Sequence, residues 1–384
     1  MVEKIELNER GLNKRRHDDP MIYRSELAEG FRENPPGCVV DLYDSNQNFF
    51  GRGFYSRGTD LAVRVVSGSK ININKSFFKD RIEQAIQLRS GINFRHSYRI
   101  VNGFGDYLPG LVVDRYGDIL VVQFRNQTID RFESQIIECL NELVTPDTIY
   151  ARNDTPVRED REGLERYKGV LKGNSIPDRV HVRKEPYEII TDIKHGQKTG
   201  AFLDQGNNRR RMWSYAPDGT VLDCYCYNGS WGLACLHGGS STVTFVDQSS
   251  HALDLVEENC RLNNWQDRAY IQQEDVMDYL NETTESPENF DCLILDPPSF
   301  TRSKRNVTSA RKGYKEINFR AMKVLKPKGM LVTSSCSAPV HPEMFRNIIS
   351  ESAHDAHVNV QTIERRFQGP DHPWLQRLDF TRYL

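Results

Sequence analysis

Residues 290–300 read FDCLILDPPSF, a short run of apolar side chains that ends in Asp296 and two prolines. A continuous apolar run of this length between turn signals is typical of a strand buried on both faces of a parallel sheet. Proline lacks the backbone N–H that would continue such a strand. The stretch therefore predicts a buried strand with an acid at its carboxyl end, which we interpret as an active-site loop rather than a simple turn.

The segments around this stretch alternate between strand and helix patterns. Further strand patterns occur at 220–229, 242–249, 269–276 and 330–337, and helix patterns separate most of them. Strict alternation of this kind indicates a doubly wound, mostly parallel α/β sheet. We predict a Rossmann-like domain of this class over residues 186–384.

Two smaller regions precede this predicted domain. Residues 1–75 carry short strand patterns punctuated by glycines, as in PPGCVVDLYDSNQNFFGRGFYS, which is typical of a small β-rich unit. Residues 76–185 combine two helix patterns with the hairpin pattern GLVVDRYGDILVVQF. They predict an α+β connector domain between the two.

Composition limits the class of protein. The chain of 384 residues has a formal net charge of −2 and 27% charged residues, as expected of a globular protein. Its first residues, MVEKIELNER, do not resemble a secretory signal, and no apolar run is long enough to span a bilayer. The eight cysteines lack the spacing of zinc ligands. We expect a cytoplasmic protein with reduced thiols, no metal and no membrane partner.

A chemically capable residue lies at each predicted strand end. In chain order these residues are Asp223, Asp247, Asp275, Asp296 and Cys336. Parallel strands bring their carboxyl ends to one edge of the sheet, which is where ligands bind in this architecture. The joint placement of four acids and a thiol predicts a single shared crevice.

The loop after the first of these strands favours a nucleoside cofactor without phosphates. Its sequence, DCYCYNG, lacks the G-x-G-x-x-G of dinucleotide folds and has little room for a pyrophosphate. S-adenosylmethionine fits instead, since its ammonium can meet a carboxylate, its ribose diol can bind Asp247 and its adenine can meet Asp275. Structural alternatives remain open, since Asp223 could be a helix N-cap and Asp275 part of a turn.

Several of these motifs, in this order, resemble those of bacterial RlmI-type methyltransferases. They include HGQKTGAFLDQGNNRR at 195–210, VLDCYCYNG, TFVDQS, ILDPPSF, RKGYKEIN and SSCS. The resemblance extends upstream to an N-terminal segment like the PUA domain of that family, and so covers nearly the whole chain. It implies an S-adenosylmethionine-dependent enzyme that methylates C5 of a cytosine in large-subunit ribosomal RNA.

The resemblance also implies roles for individual residues. Asp296 would lie at the target base, and Cys336 would be the nucleophile. The residues expected to bind or border the cofactor are Gln205, Arg209, Asp223, Tyr225, Tyr227, Gly229, Asp247, Gln248, Asp275, Val276 and Asp296.

The chemistry of C5 methylation independently favours a nucleophile. C5 of a pyrimidine is too electron-poor to attack a methyl sulfonium, and addition of a thiolate at C6 makes it carbanion-like. Cys336 among serines suits this role better than a core position would, although a buried structural thiol is the alternative. Asp296 could assist as a general acid at N3. Phe300 is a candidate for stacking on the extruded base, or a packing residue.

Charge within the chain is uneven. The segment 299–328 holds ten basic residues opposed only by Glu316, and it predicts either an RNA phosphate contact or a solvated helix face. The basic residues are Arg302, Lys304, Arg305, Arg311, Lys312, Lys315, Arg320, Lys323, Lys326 and Lys328.

Two other functions stay open alongside the leading one. A methyltransferase acting on an exocyclic amine would use a similar D-P-P-[YF] loop without a thiol. A catalytically inactive RNA-binding assembly factor could keep the fold without the reaction. The expected partner is RNA, in particular large-subunit ribosomal RNA, and a homodimer is conceivable.

Overall fold

The computed structural model describes residues 2–91, 97–182, 186–285, 290–301 and 303–384. They form two compact units. The N-terminal unit comprises Met1–Val180, Asp192–Leu203 and Pro370–Thr381, and the C-terminal unit comprises His181–Thr191, Asp204–Gly369 and Arg382–Leu384. The domain boundaries after residues 75 and 185 stay predictions.

The N-terminal unit contains two five-stranded sheets, with strand orders β1-β3-β4-β5-β2 and β10-β9-β8-β7-β6. Its elements are β1 (Glu3–Glu6), α1 (Glu9–Arg16), β2 (Met21–Tyr23), β3 (Val39–Tyr43), β4 (Phe49–Tyr55), β5 (Leu61–Ser67), α2 (Lys75–Ser90), β6 (Ser97–Asn102), β7 (Leu111–Tyr116), β8 (Ile119–Phe124), α3 (Gln127–Arg131), α4 (Glu133–Val144), β9 (Thr148–Arg152), α5 (Pro156–Asp160) and β10 (Lys168–Gly173). The predicted hairpin is β7–β8, whose turn uses Gly117 at a positive φ of 62°.

The C-terminal unit contains the predicted alternation of strands and helices. Its elements are β11 (Val180–Val182, which begins at the last residue of the N-terminal unit's first segment), β12 (Ile189–Thr191), α6 (Gly206–Met212), β13 (Thr220–Cys224), α7 (Ser230–Gly238), β14 (Thr242–Asp247), α8 (Ser250–Leu262), β15 (Ala269–Gln273), α9 (Val276–Glu285), β16 (Phe290–Leu295), α10 (Val307–Val324), β17 (Leu325–Thr333) and α11 (Pro342–Asp355). Strands β11 and β12 form a small sheet of their own.

The five strands β13 to β17 form one parallel sheet in the order β15-β14-β13-β16-β17. The prediction of a doubly wound parallel sheet is confirmed. The inner strands β13 and β16 are apolar because both of their faces are covered. Four of their side chains have no solvent exposure, namely Val221, Leu222, Leu293 and Ile294. The chain order reverses between β13 and β16, so the crevice for a ligand is expected at their carboxyl ends.

Gly232 in α7 allows this helix to pack closely on β14. A Cβ at this position would lie 2.7 Å from Cζ of Phe245 and 2.8 Å from Cγ1 of Val243. We expect Gly232→Ala to lower the free energy of unfolding by about 1–3 kcal/mol, because the core must shift to admit the methyl group. Urea denaturation followed by fluorescence measures the loss. Gly68→Ala, where a Cβ meets nothing within 4 Å, is the control and should leave the midpoint nearly unchanged.

Candidate active site

The sheet brings the predicted site residues to its carboxyl edge. In sheet order, β15, β14, β13, β16 and β17 are followed by or end in Asp275, Asp247, Asp223, Asp296 and Cys336.

Asp223 is fully buried near the end of β13, and only one of its two carboxylate oxygens has a hydrogen-bond partner among the described residues. Its Oδ2 accepts a hydrogen bond of 2.8 Å from the backbone N–H of Gly232, which means that it also helps to cap α7. Its Oδ1 is buried and has no hydrogen-bond partner among the described residues. Burial raises the pKa of Asp223 to about 8, and the negative charges of Asp296 and Asp247 add to the rise. A buried carboxylate oxygen without a donor fits a cationic ligand group.

The loop from β13 to α7 is held in an uncommon backbone conformation. Tyr225, Tyr227 and Gly229 have positive φ angles of 59°, 49° and 77°. Left-handed conformations at non-glycine residues cost free energy and concentrate at functional sites. The N–H of Tyr227 donates to Oδ2 of Asp247 at 3.0 Å, which ties this loop to the end of the neighbouring strand.

The residues expected at the ribose and adenine occupy the ends of β14 and β15. Asp247 is half-buried, and its Oδ1 accepts a bond of 2.9 Å from the N–H of Ser249. Gln248 is exposed beside it. Asp275 is exposed, and its Oδ1 accepts the N–H of Met277 at 2.8 Å near the start of α9. The Val276 side chain is buried in the apolar core, so its backbone is the part that remains for a ligand.

Asp296 lies at the centre of a hydrogen-bond cluster. Oδ1 accepts from Nε2 of Gln205 at 3.1 Å and from the hydroxyl of Ser334. Oδ2 accepts from the indole Nε1 of Trp231 at 2.9 Å. The predicted neighbour Gln205 is therefore in direct contact with the predicted catalytic acid. Arg209, the other predicted neighbour, lies close enough to Asp223 for its positive charge to lower the pKa of that carboxyl, against the larger effect of burial.

Trp231 was not singled out by the sequence analysis, and Ser334 was seen only as a polar neighbour of Cys336. A usable signal existed for Trp231. Buried tryptophan side chains usually find an acceptor for the indole N–H, and this one follows the loop at the end of a central strand. The sequence alone could not identify that acceptor.

Cys336 differs from the other cysteines in its surroundings. All eight cysteines lie in the described part of the chain, and Cys336 is the only one that is not buried. Its Sγ lies 3.4 Å from the carbonyl oxygen of Pro297, which places the thiol directly beside the DPP segment. Burial raises the pKa of the other thiols of this unit, for example to about 12 for Cys292 and Cys260.

The loop that carries Cys336 is anchored to the DPPSF segment by the next residue. Ser337 is buried, and its hydroxyl lies 3.1 Å from the hydroxyl of Ser299 and 3.0 Å from that of Tyr314. The ring of Phe300 packs on Tyr314 with centroids 4.5 Å apart. The structure thus favours the packing alternative for Phe300 over stacking on a base.

The basic segment is less positive in three dimensions than in sequence. Arg302 and the side chain of Lys304 lie outside the described part of the structure. Four of the other cations pair with carboxylates, in the pairs Arg311–Glu351, Lys315–Asp355, Arg320–Glu316 and Lys326–Asp291. Two of these acids belong to α11, which packs on α10, so the segment retains less charge for a phosphate backbone than its composition indicates.

The described residues contain neither a membrane-spanning helix nor a cluster of metal ligands. None of their helices is long and apolar enough to cross a membrane. Among the same residues, no group of three or more histidine, cysteine, aspartate or glutamate side chains is arranged to hold a metal ion.

Comparison with known proteins agrees with this architecture. A family model described as S-adenosylmethionine-dependent methyltransferase matches residues 164–378, and a model of a PUA-like domain matches residues 5–68. A solved structure of a Streptococcus mutans protein described as a SAM-dependent methyltransferase has a TM-score of 0.83 at 19% identity, covering 100% of this chain and 98% of that one. A second, described as a methyltransferase complexed with SAH, has a TM-score of 0.84 at 20% identity with the same coverage. At these identities, the two structures show a shared fold.

Relatives found by sequence share more identical residues with this chain than these two structures do. Proteins named ribosomal RNA large subunit methyltransferase I are 37% identical over 367 residues in Photobacterium profundum and 36% identical over 365 residues in Aliivibrio fischeri, in both cases over 94% of this chain and 91% of the relative. The protein of the same name from Erwinia tasmaniensis is 34% identical over 375 residues, which cover 96% of this chain and 94% of the relative.

These matches run from the PUA-like domain through the parallel sheet and its strand ends. Oδ1 of Asp223, which has no partner among the described residues, and the loop sequence DCYCYNG, which lacks G-x-G-x-x-G, fit the cofactor that the family model names. The chain therefore belongs to the ribosomal RNA large subunit methyltransferase I family, with an N-terminal PUA-like domain, a Rossmann-like methyltransferase domain and S-adenosylmethionine as its cofactor.

Proposed function

We propose that this protein methylates C5 of a cytosine in large-subunit ribosomal RNA and that Cys336 is the covalent nucleophile. The observation that carries the proposal is the position of the Cys336 thiol, half-exposed at the carboxyl edge of the sheet and 3.4 Å from the carbonyl of Pro297. The names of the relatives support ribosomal RNA as the substrate.

Bound S-adenosylmethionine supplies an electrophilic methyl group on a sulfonium sulfur. Asp223 would bind the cofactor's ammonium group, since its buried Oδ1 has no donor among the residues that the structure describes. Asp247 with Gln248 would accept the ribose hydroxyls, and Asp275 with the backbone of Val276 would bind the adenine. Further residues near the cofactor would be Gln205, Arg209, Tyr225, Tyr227 and Gly229.

The thiol makes C5 reactive by adding to the neighbouring carbon. Sγ of Cys336 forms a bond to C6, and the electron pair of the C5–C6 double bond moves towards C5. Once C5 carries the methyl group, loss of the C5 proton to a base returns the electron pair to the ring, and the C6–S bond breaks. The thiolate is thereby regenerated, and one difficult substitution is divided into easier steps.

The alternative thiols of this unit are unsuited to that role. Cys224 ends β13 and Cys226 lies within the cofactor loop, but both are buried, and burial raises their pKa well above the usual range. A thiolate is needed for the addition, and its formation is disfavoured in an apolar core. Cys336 is partly open to solvent, where both thiolate and base can be accommodated.

Contacts to RNA are proposed for the PUA-like domain and for those cations of segment 299–328 that form no ion pair within the described part of the chain. Sequence-specific recognition of RNA commonly acts on unpaired bases that can be splayed out of the helix. The target cytosine is therefore expected in a loop or at a helix defect of the ribosomal RNA.

The experiment that tests this proposal is covalent trapping on RNA that carries 5-fluorocytosine. Fluorine at C5 cannot leave as a proton does, so the methylated adduct should stall and give a complex of protein and RNA that survives denaturing electrophoresis. We expect this complex with S-adenosylmethionine and the wild-type protein, and its absence with Cys336→Ala. Cys139→Ala, a buried thiol of the N-terminal unit, is the matched control and should still be trapped.

The identity of the methylated nucleoside distinguishes C5 methylation from methylation of an exocyclic amine and from RNA binding without catalysis. Mass spectrometry of the methylated nucleoside should give 5-methylcytidine. Methylation of an exocyclic amine without a trapped complex would contradict the proposal, as would RNA binding without any methyl transfer.

A further inference from the structure

Three donors from three different elements hold the carboxylate of Asp296. They come from Gln205 directly before α6, from Trp231 in α7 and from Ser334 directly after β17. The end torsion of an aspartate side chain is broad and has no strongly preferred staggered position. The orientation of this carboxylate is therefore decided by its partners.

Trp231 is the most rigid of the three partners. Its side chain is 7% exposed and belongs to the apolar cluster formed with Leu233 and Phe245, so the indole cannot readily change its position. Its N–H is the donor to Oδ2, whereas the other two donors bind Oδ1. Removal of this one N–H would leave Oδ2 without the contact that holds it.

The amide of Gln205 has a defined orientation as well. Its Oε1 accepts a bond of 2.7 Å from Nδ2 of Asn208, which leaves Nε2 to face Asp296. All three protein groups at Asp296 therefore act as donors, and the carboxylate acts as the acceptor.

A carboxylate has about four acceptor positions in total. Three of them at Asp296 are occupied by protein donors, and the residue remains partly exposed. The remaining position can receive a donor from a ligand and would repel an acceptor. Next to C5, cytosine presents an amino group at C4, whereas uracil presents a carbonyl oxygen.

We infer that Trp231, together with Ser334, is a positioning residue that orients Asp296 to accept a hydrogen bond from the exocyclic amino group of the target cytosine. This inference rests on the proposed function and explains how the enzyme would select cytosine over uracil. It replaces the proton-donor role at N3 that the sequence analysis considered for Asp296 with an acceptor role at N4. Uracil is rejected because its O4 would face a carboxylate oxygen.

The test compares Trp231→Phe with the wild type on two RNA substrates. The first is an RNA fragment that the wild type methylates, and the second is the same fragment with pyrimidin-2-one, which lacks the 4-amino group, at the target position. We expect Trp231→Phe to lower kcat/KM on cytosine about 10- to 100-fold, the usual effect of losing a hydrogen bond to a charged group. Its kcat/KM on pyrimidin-2-one should change less than about threefold.

Folding is checked by the affinity for SAH in calorimetry and by the melting temperature, both of which should stay near the wild-type values. Ser334→Ala removes a donor from the other oxygen and should show the same loss confined to cytosine. Uridine at the target position should be a poor substrate for the wild type.

Equal losses on both substrates in the two variants would overturn the inference, because a general structural defect does not depend on the 4-amino group. Unchanged rates on both would overturn it as well. These outcomes are separate from failure of the proposed function, which would appear in the wild type as a product other than 5-methylcytidine or as no trapped complex.

Discussion

Replacement of Cys336 by alanine is expected to reduce the rate of C5 methylation by about three orders of magnitude or more, the effect that is typical when a covalent nucleophile is removed. In the proposed mechanism, no group would then add to C6, and C5 would stay too electron-poor to attack the methyl group. The rate is measured by transfer of labelled methyl groups to ribosomal RNA from cells that lack the gene.

The same variant should still bind its ligands. Cys336 follows β17 in a loop held by Ser337, whereas Asp223 and Asp247 accept hydrogen bonds from the backbone N–H groups of Gly232 and Tyr227. Calorimetry should therefore give an affinity for SAH within about threefold of wild type. Cys139→Ala should retain the wild-type rate at temperatures where it is folded. A Cys336→Ala protein that forms 5-methylcytidine at the wild-type rate would exclude the covalent mechanism.

The affinity for SAH is expected to depend strongly on pH because of Asp223. In the absence of cofactor, burial raises the pKa of this carboxyl from 3.8 to about 8, so it is mostly protonated at neutral pH. A bound ammonium group favours the ionised form. We therefore expect SAH binding to release close to one proton near pH 7 and the affinity to increase about tenfold per unit of pH until about pH 8.

The stability of the cofactor-free protein should decrease with rising pH, whereas its affinity for SAH increases. A carboxyl whose pKa is higher in the folded than in the unfolded protein stabilises the fold while it is protonated. For Asp223 this contribution is lost as the pH rises from 3.8, the ordinary pKa of an aspartate, through about 8, its pKa in the folded protein. The melting temperature of the cofactor-free protein, measured relative to Asp223→Asn, should therefore fall across this range.

Asp223→Asn is the variant that isolates both effects, because the amide keeps the shape and does not titrate. Its affinity for SAH should be about 10- to 100-fold weaker above about pH 8, since a charge-assisted contact is lost. Proton release, measured in buffers of different ionisation enthalpy, should disappear. Wild-type binding that is independent of pH and releases no proton would contradict the assignment of the ammonium group to Asp223.

The arrangement of the sheet could be predicted because it depends on local patterns. Apolar runs such as 290–295 and the helices between them determine a parallel sheet, and each strand end was visible as an acid or a thiol. The environment of the site residues was harder to predict. From the sequence, Phe300 could be either a stacking or a packing residue, and only the structure shows its packing on Tyr314. The side chain of Val276 lies in the core, so the prediction that this residue binds the cofactor now concerns its backbone.

The order of residues along the chain by itself determined that Asp223, Asp247, Asp275, Asp296 and Cys336 meet at one edge, because parallel strands must end on the same side. Only the tertiary structure decided what surrounds them. Trp231 and Ser334 bind Asp296 from 65 and 38 residues away, and acids of α11 neutralise cations of α10. Such contacts depend on how helices pack on the sheet, and no local pattern of side chains encodes them.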